Sequence, residues 1–331
     1  MILLSGASGF VGRRLATRLA ADHPNADLRC LVKDDDDAFG RAGITRLEHH
    51  GIRPVPTELT TGRGLSGLTR PAVVFHLAAN THTWERDQGC NDVGTERLVR
   101  ALGHIGPDTH LIFTSTVAVM DNRGTMDEPL RPDMPVTGSP MSRYGATKWR
   151  AEEFLRRESR RHGFRLSIVR LCTVYGPGPR PNSFFDILKQ EVGKRSMASR
   201  LNWPGLTSFV HVDDVVDGLL NVAGSPPPSG EPRVQLLATE SRTLQEVSAL
   251  IYRVRSLPYR MIRWPNSMWN GLRKAHWVCR WGRACLPSNI YNFLWRFDLV
   301  VNPVFHCDTA LSMKSFPGLV PRRMEECIGE V

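Results

Sequence analysis

Three glycines spaced by pairs of residues separate a short apolar run from a helical pattern at the start of the chain. The apolar run is Ile2 to Leu4, the glycine segment reads GASGFVG over 6–12, and Val11 to Ala20 has helical periodicity. In such a turn one glycine allows the tight bend, a second lets backbone amides approach a pyrophosphate, and a third lets the helix lie close to the strand. Because a helix N-terminus also carries partial positive charge, the segment predicts a phosphate-binding turn.

The first half of the chain alternates short apolar runs with helical patterns, which is typical of a parallel sheet with crossover helices. Further strands are predicted at 28–32, 73–76, 111–114 and 166–169, the last of which closes the series. A long amphipathic helix is predicted over 144–162, and prolines after Tyr175 mark a boundary. The prediction is an α/β fold with a Rossmann-type doubly wound parallel sheet in 1–172, to which 206–224 returns. A smaller C-terminal α/β substrate domain would comprise 173–205 and 225–331.

The composition excludes several classes of protein. Hydrophobic residues make up 41% and charged residues 23% of the 331 residues, which excludes a disordered or collagen-like chain. The apolar runs are far shorter than the roughly 20 residues of a membrane-spanning helix. The first residues show neither a basic leader nor a cleavage site, so we expect a cytoplasmic location. Seven scattered cysteines without a C-x-x-C pair predict reduced thiols and no structural metal.

Further motifs follow the glycine turn in a fixed order. They are HLAA at 76–79, NDVGT at 91–95, Ser115-Thr116, YGATK at 144–148, VYGPG at 174–178 and FVHVDD at 209–214. Together with the glycine turn they resemble the extended short-chain dehydrogenase/reductases, also called NAD-dependent epimerase/dehydratases, over roughly the first 220 residues. The resemblance implies an NAD(P)-dependent enzyme that transfers hydride at a secondary alcohol or ketone.

The resemblance also implies a set of cofactor-binding residues. On the positions that match the family's motifs these are Gly6, Ser8, Gly9, Phe10, Val11, Gly12, Lys33, Glu58, Leu59, Leu77, Ala78, Ala79, Asn91, Thr114, Tyr144, Lys148, Leu171, Thr173 and Val174. The acid that closes the second strand in NAD-selecting members is missing near Val32, and Lys33 beside it suits the 2′-phosphate of NADP(H). Four aspartates follow directly, so NAD(H) stays open and NADP(H) is slightly favoured.

Tyr144 and Lys148 are four residues apart, so on a helix they project from one face, one turn apart. An unperturbed phenol has a pKa near 10, and a neighbouring ammonium stabilises the phenolate. The resemblance implies that Tyr144 exchanges a proton with the substrate oxygen, that Lys148 also binds the nicotinamide ribose, and that Thr116 holds the same oxygen. Thr116, Tyr144 and Lys148 are therefore the predicted catalytic residues; the alternative is an ordinary amphipathic helix start.

The neighbouring residues narrow the reaction. Val117 and Ala118 follow Thr116 where the family's dehydratases carry Asp-Glu, which disfavours dehydration. The predicted substrate-binding residues are Ser115, Thr116, His82, Thr173, Asn182 and Phe184. The resemblance implies a nucleotide-activated sugar as substrate, with epimerisation and net oxidation or reduction both open. The alternatives are a reductase similar to the 3β-hydroxysteroid dehydrogenases, with a lipid or membrane-associated substrate, and a non-catalytic NAD(P)-sensing protein.

A basic C-terminal segment accounts for most of the net charge of +10. Residues 253–296 contain nine Lys and Arg and no Asp or Glu, and 264–296 hold five of the eight tryptophans. We predict a helix over 266–286 that docks through Met268, Leu272, Ala275 and Cys279 and turns Trp277 and Trp281 outward. Three interpretations stay open: a partly buried domain with surface arginines, a cleft for an anionic substrate, and a peripheral contact of 264–296 with the inner face of a membrane.

Two expectations concern macromolecular partners. The basic charge is accompanied by no recognised nucleic-acid motif, so we expect no nucleic-acid binding. Analogy with the family implies a homodimer that uses the helix carrying Tyr144 and Lys148.

Overall fold

The computed structural model describes residues 1–33, 37–68, 70–81, 87–103, 105–121, 128–274, 277–278, 281 and 286–331. These residues form two compact units. Unit 1 comprises Met1–Thr116, Ala146–Arg170 and Val215–Gln235. Unit 2 comprises Val117–Gly145, Leu171–Asp214 and Leu236–Val331.

The strands belong to two sheets. In chain order they are β1 (Ile2–Ser5), β2 (Leu28–Val32), β3 (Pro54–Pro56), β4 (Val73–His76), β5 (His110–Thr116), β6 (Arg165–Leu171), β7 (Thr173–Tyr175), β8 (Leu206–His211), β9 (Arg233–Leu237) and β10 (Glu240–Thr243). The larger sheet is parallel, is flanked by helices and has the order β3-β2-β1-β4-β5-β6-β9. The smaller sheet has the order β10-β8-β7, with β8 antiparallel to β10 and parallel to β7.

The helices are mostly amphipathic. They are α1 (Gly12–Asp22), α2 (Ala38–His49), α3 (Val93–Ala101), α4 (Arg143–His162), α5 (Phe184–Gly193), α6 (Val212–Gly224), α7 (Leu244–Val254), α8 (Asn266–Leu272), α9 (Ser288–Val301), α10 (Thr309–Lys314) and α11 (Met324–Cys327). Side-chain caps fix several starts: Asp37 accepts a hydrogen bond from Phe39 N at α2, and Thr243 with Glu246 forms a capping box at α7. Among the described residues no helix combines the length and apolarity needed to cross a membrane.

The core of unit 1 lies on the large sheet. Every residue of β5 is buried, as expected for a central strand of a parallel sheet that is covered on both faces. Its inward side chains join a cluster that includes Leu3, Val74, Phe113, Leu155 and Ile168. In the register, Ser5 lies beside Leu31 of β2 on one side and His76 of β4 on the other. The chain order reverses between β1 and β4, which in such sheets opens a crevice at the carboxyl ends of these strands.

Unit 2 has its own core beside the three-stranded sheet. Tyr175, Phe185 and Phe209 pack ring against ring, with centroid separations of 5.7 Å from Phe185 to each of the other two. Val247 and Tyr252 from α7 complete this buried cluster. Unit 2 is therefore stabilised by its own aromatic core.

The fold class is confirmed, but strand and unit boundaries differ from the sequence-based prediction. β6 does not close the series, because β9, expected in the second domain, lies next to it in the large sheet. The segment 206–224 is divided: β8 belongs to unit 2, whereas 215–224 lies in unit 1. Which range binds cofactor and which binds substrate stays a prediction.

The predicted docking face of the basic segment was wrong. Helix α8 ends at Leu272, and Met268 is 48% exposed whereas Trp269 is buried. Trp269 packs on Trp203 and Trp264, and its indole donates to Asn202 Oδ1 at 3.2 Å. These contacts, rather than apolar spacing, decide which face is buried. Trp277 and Trp281 are exposed as expected, with stacked rings, while Ala275 and Cys279 lie outside the described residues.

Candidate active site

The glycine turn lies directly after β1, at the edge where the strand order reverses. Gly6 has a φ of +73°, and a Cβ there would lie 2.7 Å from Ala78 N. A Cβ on Gly12 would lie 2.0 Å from Gly6 O, and one on Gly43 of α2 would lie 2.1 Å from Ser8 O. Side chains are excluded at all three positions, so backbone lines the turn at the start of α1. This is the cradle that a dinucleotide phosphate requires.

His76 connects the elements below this turn. It is fully buried; its Nδ1 lies 2.6 Å from Ser5 Oγ and its Nε2 lies 2.8 Å from Thr95 Oγ1. Burial, with a contribution from Lys148, lowers the pKa of His76 to about 3. The ring is therefore neutral and links β1, β4 and α3. The adjoining amides of Leu77 and Ala78 donate to Ser5 O and Ser5 Oγ, at 3.2 and 3.3 Å.

Asn91, like His76, connects separate elements of unit 1 by hydrogen bonds. Its amide nitrogen donates to Asn80 O, Gln88 Oε1 and Thr147 Oγ1 at 2.9–3.1 Å. Its amide oxygen accepts from Asn80 N at 2.8 Å. Asn91 thus ties the loop after β4 to α4. Its predicted role in cofactor binding stays a prediction.

Lys148 is a buried amine on α4. Its side chain is 1% exposed, and Nζ lies 4.0 Å from the centroid of the Phe113 ring. Nζ has no hydrogen-bond partner among the described residues. Burial lowers the pKa of Lys148 to about 7, opposed by Cys90 and Glu152. A buried amine without an acceptor is costly, so this position fits a ligand with acceptor oxygens, such as the ribose hydroxyls of a dinucleotide.

Tyr144 is half-buried in the first turn of α4, one helical turn before Lys148, as their spacing predicted. A Cβ on Gly145 would lie 2.3 Å from Ala118 O, so this turn lies very close to the residues after β5. Ser142 Oγ accepts a hydrogen bond from Gly145 N at 3.0 Å and caps the helix start. The backbone around Tyr144 is therefore tightly constrained.

The end of β5 carries the other two predicted hydroxyls. Thr116 is its last residue and is 9% exposed. Although burial raises the pKa of the Glu152 carboxyl, Arg170, with a smaller contribution from Ser115, holds it below its usual value. Thr114 Oγ1 donates to His76 O at 3.3 Å. The substrate role of Ser115 stays a prediction.

Lys33 follows directly on the end of β2, where the cofactor's adenosine was expected. Lys33 is exposed. Although burial raises the pKa of Glu58, hydrogen bonds from Thr60 and the charges of Lys33 and Arg63 leave that pKa below its usual value. Leu59, the neighbour of Glu58, is buried.

Arg13, in the first turn of α1, is a buried cation that was not among the predicted site residues. Its guanidinium carbon lies 5.0 Å from the centroid of the Phe39 ring. Burial, with repulsion from Arg14 and Arg46, lowers its pKa to about 10. Its position directly after Gly12 was the available signal, because the first turn of α1 adjoins the phosphate turn.

The remaining predicted residues lie mostly in unit 2. Leu171 ends β6, and Thr173 and Val174 are half-buried in β7. Asn182 is exposed with φ +59°, and its N–H donates to Asp186 Oδ2 at 2.7 Å, which is a turn role. The Phe184 ring packs against Phe185 and Phe209. His82 lies outside the described residues.

Comparison with known proteins identifies the family. A family model described as "NAD dependent epimerase/dehydratase family" matches residues 2–235. The chain belongs to this family. The resemblance read from the motifs is thereby confirmed, as is the expectation of an enzyme of the extended short-chain dehydrogenase/reductase type.

Two curated relatives that are named as 4-epimerases are 30% identical to the chain. The UDP-glucose 4-epimerase of Mycolicibacterium smegmatis matches in an alignment of 253 positions that covers 69% of this chain and 74% of the relative. The dTDP-L-rhamnose 4-epimerase of Burkholderia thailandensis matches in an alignment of 263 positions that covers 66% of this chain and 71% of the relative. By contrast, the chain spans only 6% of the hybrid PKS-NRPS synthetase mycA of Thermothelomyces thermophilus, at 27% identity.

Solved structures of the epimerase type share the fold. The UDP-glucuronic acid 4-epimerase of Bacillus cereus, in complex with UDP-glucuronic acid and NAD, has a TM-score of 0.73 at 17% identity and covers 99% of this chain and 96% of its own. The UDP-glucose 4-epimerase of Thermotoga maritima, with UDP-glucose, has a TM-score of 0.59 at 19% identity and covers 80% and 85%. At this identity the likeness shows the fold.

Proposed function

We propose that the protein is an NAD(P)-dependent oxidoreductase or epimerase that acts on a secondary alcohol or ketone of a nucleotide-activated sugar. The observation that carries the proposal is Lys148, a buried amine without a hydrogen-bond partner among the described residues, one turn after Tyr144 on α4. A cation in this state is retained where a ligand supplies its acceptors. The glycine cradle in the same unit as Lys148 supports a dinucleotide as that ligand.

Three side chains would carry the chemistry. A bound dinucleotide supplies the hydride acceptor or donor. Tyr144 takes the proton from the substrate hydroxyl during oxidation and returns it during reduction. Lys148, as an ammonium, stabilises the Tyr144 phenolate and binds ribose hydroxyls. Thr116 donates a hydrogen bond that orients the substrate oxygen.

For the cofactor we propose a preference for NADP(H). Support comes from Lys33 at the end of β2 and from the mutually repelling cations Arg13, Arg14 and Arg46, which favour a nearby dianion such as a 2′-phosphate. The Bacillus cereus structure contains NAD, so the preference needs a direct measurement. We expect Lys33→Ala to weaken NADPH binding about tenfold and NADH binding less than twofold, by fluorescence titration. Equal weakening of both would contradict the 2′-phosphate assignment.

For the substrate we propose a nucleoside-diphosphate sugar bound by Thr116 with Ser115, His82, Thr173, Asn182 and Phe184. Support comes from the curated 4-epimerases that match at 30% identity. Val117 and Ala118 have no side-chain group that moves a proton, so the proposal is epimerisation or net redox chemistry rather than dehydration.

The test is turnover on UDP- and dTDP-sugars, with each dinucleotide, followed by sugar analysis and by absorbance of the reduced cofactor. Tyr144→Phe should lower turnover roughly 10²–10⁴-fold and leave cofactor affinity nearly unchanged. Tyr259→Phe, which removes a phenol hydroxyl elsewhere in unit 2, is the matched control and should retain full turnover. A Tyr144→Phe enzyme with normal turnover would contradict the catalytic assignment. Turnover on sterol or polyprenyl substrates instead would favour the 3β-hydroxysteroid-dehydrogenase-like alternative.

We also propose that the basic segment 264–296 contacts an anionic membrane surface. Trp277, Trp281 and Phe293 are 66–69% exposed, and Arg273 and Lys274 are exposed close to them in sequence. Outward aromatic rings beside cations, in a stretch without acids, match the headgroup region of an anionic bilayer. The predicted cytoplasmic location and the homodimer formed through α4 remain companion proposals, the latter testable by analytical ultracentrifugation.

Vesicle cosedimentation tests the membrane contact. Wild-type protein should bind phosphatidylglycerol-containing vesicles and be released by salt. Trp277→Ser with Trp281→Ser should abolish binding, whereas Met197→Ser with Val320→Ser, which removes two other exposed apolar side chains, should not. Reversing Arg273 and Lys274 should weaken binding more than reversing Arg160 and Arg161, an equal charge change. Vesicle binding that is unchanged by both the tryptophan and the charge substitutions, or no binding by the wild-type protein, would contradict the proposal.

A further inference from the structure

Asp121 is a buried carboxylate of unit 2. It follows the 3-10 turn Val117–Met120 and is 1% exposed. Its Oδ1 accepts a hydrogen bond from Met141 N at 2.5 Å, and its Oδ2 accepts from Ser142 N at 3.0 Å and from Trp295 Nε1 at 3.2 Å. Both oxygens are therefore used, and their donors come from two segments far apart in sequence.

The first of these segments leads directly into the start of α4. Ser142, held by Asp121 through its backbone N–H, caps the helix through its own hydroxyl, which accepts from Gly145 N. Tyr144 lies between these two residues. The close approach of Gly145 to Ala118 O fixes the same turn from the other side. The backbone on both sides of Tyr144 is thus held against the segment 117–121.

The second segment is α9, in the tryptophan-rich region. Besides the Trp295 indole, Tyr291 donates its hydroxyl hydrogen bond to Met141 O at 2.9 Å. Tyr291, Trp295 and Met141 form a small buried cluster with Phe305 and other apolar side chains. Helix α9 therefore holds the residues before Tyr144 by one direct polar contact, by a second contact that passes through Asp121, and by apolar packing.

Burying the Asp121 carboxylate in an apolar cluster costs desolvation free energy. Burial raises the pKa of Asp121 to about 6, and hydrogen bonds from Met141, Ser142 and Trp295 oppose this. An apolar side chain of similar volume would fill the space at lower cost. The carboxylate instead orients its surroundings, because its two acceptor oxygens fix the positions of three N–H donors at once.

We propose that Asp121 and Trp295 are positioning residues that hold the Tyr144 hydroxyl in its reactive place, so that α9 acts on turnover without touching substrate. The inference rests on the proposed catalytic role of Tyr144. Small displacements of a reacting group have large effects, of order 10²-fold for about 1 Å. Loss of one of the three hydrogen bonds to Asp121 should therefore lower kcat and leave cofactor binding intact.

The decisive variant is Trp295→Phe, which keeps the buried ring and removes only the N–H. We expect kcat to fall about tenfold, with KM and the Kd of the dinucleotide changed less than twofold. Trp269→Phe is the matched control, because it also removes a buried indole N–H that donates at 3.2 Å in unit 2, to Asn202. It should lose similar thermal stability and retain kcat. Asp121→Asn, which turns an amide N–H₂ toward a backbone donor, should lower kcat at least as much as Trp295→Phe.

A second readout needs no turnover. With the dinucleotide bound, the ultraviolet difference between each protein and its Tyr144→Phe counterpart reports ionisation of that phenol alone. The titration midpoint should shift in Trp295→Phe and stay unchanged in Trp269→Phe. Equal effects of the two tryptophan changes on kcat, or an unmoved kcat and midpoint in Trp295→Phe, would overturn the positioning role. Normal turnover in Tyr144→Phe itself would instead overturn the proposed function.

Discussion

Lys148 and Arg170 are two fully buried cations of unit 1 with opposite surroundings. Arg170 donates two hydrogen bonds to Glu152, at 3.0 and 2.8 Å. Lys148 faces the Phe113 ring and has no acceptor in the described part of the chain. A buried charge is tolerated when it is paired and is costly when it is not. The described part of the fold satisfies Arg170 and leaves Lys148 without an acceptor, and the proposed function assigns that acceptor to a bound ligand.

Breaking the paired cation should have the largest effect on stability. In Arg170→Met the buried Glu152 carboxylate keeps Arg156, at 3.1 Å, as its remaining basic contact of those described. We expect the free energy of unfolding to fall by about 3–5 kcal/mol, measured by urea denaturation followed by circular dichroism. The control is Arg170→Met with Glu152→Met, which removes both charges and should recover most of the loss. A loss below about 1 kcal/mol in the single variant would mean that the pair behaves like a surface salt bridge.

Removing Lys148 should raise the free energy of unfolding rather than lower it. In Lys148→Met the desolvated charge disappears and the apolar chain remains, so we expect the cofactor-free protein to gain about 2–4 kcal/mol at pH 7. Turnover should be lost at the same time, a trade of activity for stability that is common at functional sites. The same urea experiment measures the gain. A destabilised Lys148→Met protein would indicate that the amine is satisfied in the folded chain.

The gain from Lys148→Met should also depend on pH in one direction. Lys148 has a pKa of about 7 when folded and about 10.4 when unfolded, so the unfolded chain binds the proton more tightly. Its stability penalty is fully present below pH 7 and shrinks as pH rises from 7 to about 10.4, by at most about 1.4 kcal/mol per pH unit. The stability difference between Lys148→Met and wild type should therefore narrow over that range. A difference that is constant from pH 7 to 10 would contradict the lowered pKa.

The local features of this site could be predicted from sequence. The glycine turn, the strand–helix alternation and the four-residue spacing of Tyr144 and Lys148 depend on residues close together in the chain. Backbone conformation and helical periodicity are encoded at that range. For the same reason the boundaries of β2 and β4 matched the apolar runs.

The features that depend on tertiary contacts could not be predicted. The place of β9 beside β6 is a pairing across more than sixty residues, which no local pattern specifies. Burial of Trp269 depends on Trp203 and Trp264, and the hydrogen bond from Trp295 to Asp121 joins segments that are 174 residues apart. Helical spacing alone predicted burial of Met268, because it contains no information about aromatic partners from other segments.

The smallest effect is expected from an exposed cation of α4. Arg150 lies two residues after Lys148, with a side chain that is 58% exposed and Nη2 at 2.6 Å from Asp92 Oδ2. Solvent screens this pair, and ordering the long side chain offsets part of the attraction, so Arg150→Ala should change the free energy of unfolding by about 0–1 kcal/mol. Added salt should reduce even that difference, measured by urea denaturation at low and high ionic strength. An Arg150→Ala effect as large as that of Arg170→Met would show that short distance, rather than burial, decides what an ion pair contributes in this helix, and the contrast between Lys148 and Arg170 would lose its meaning.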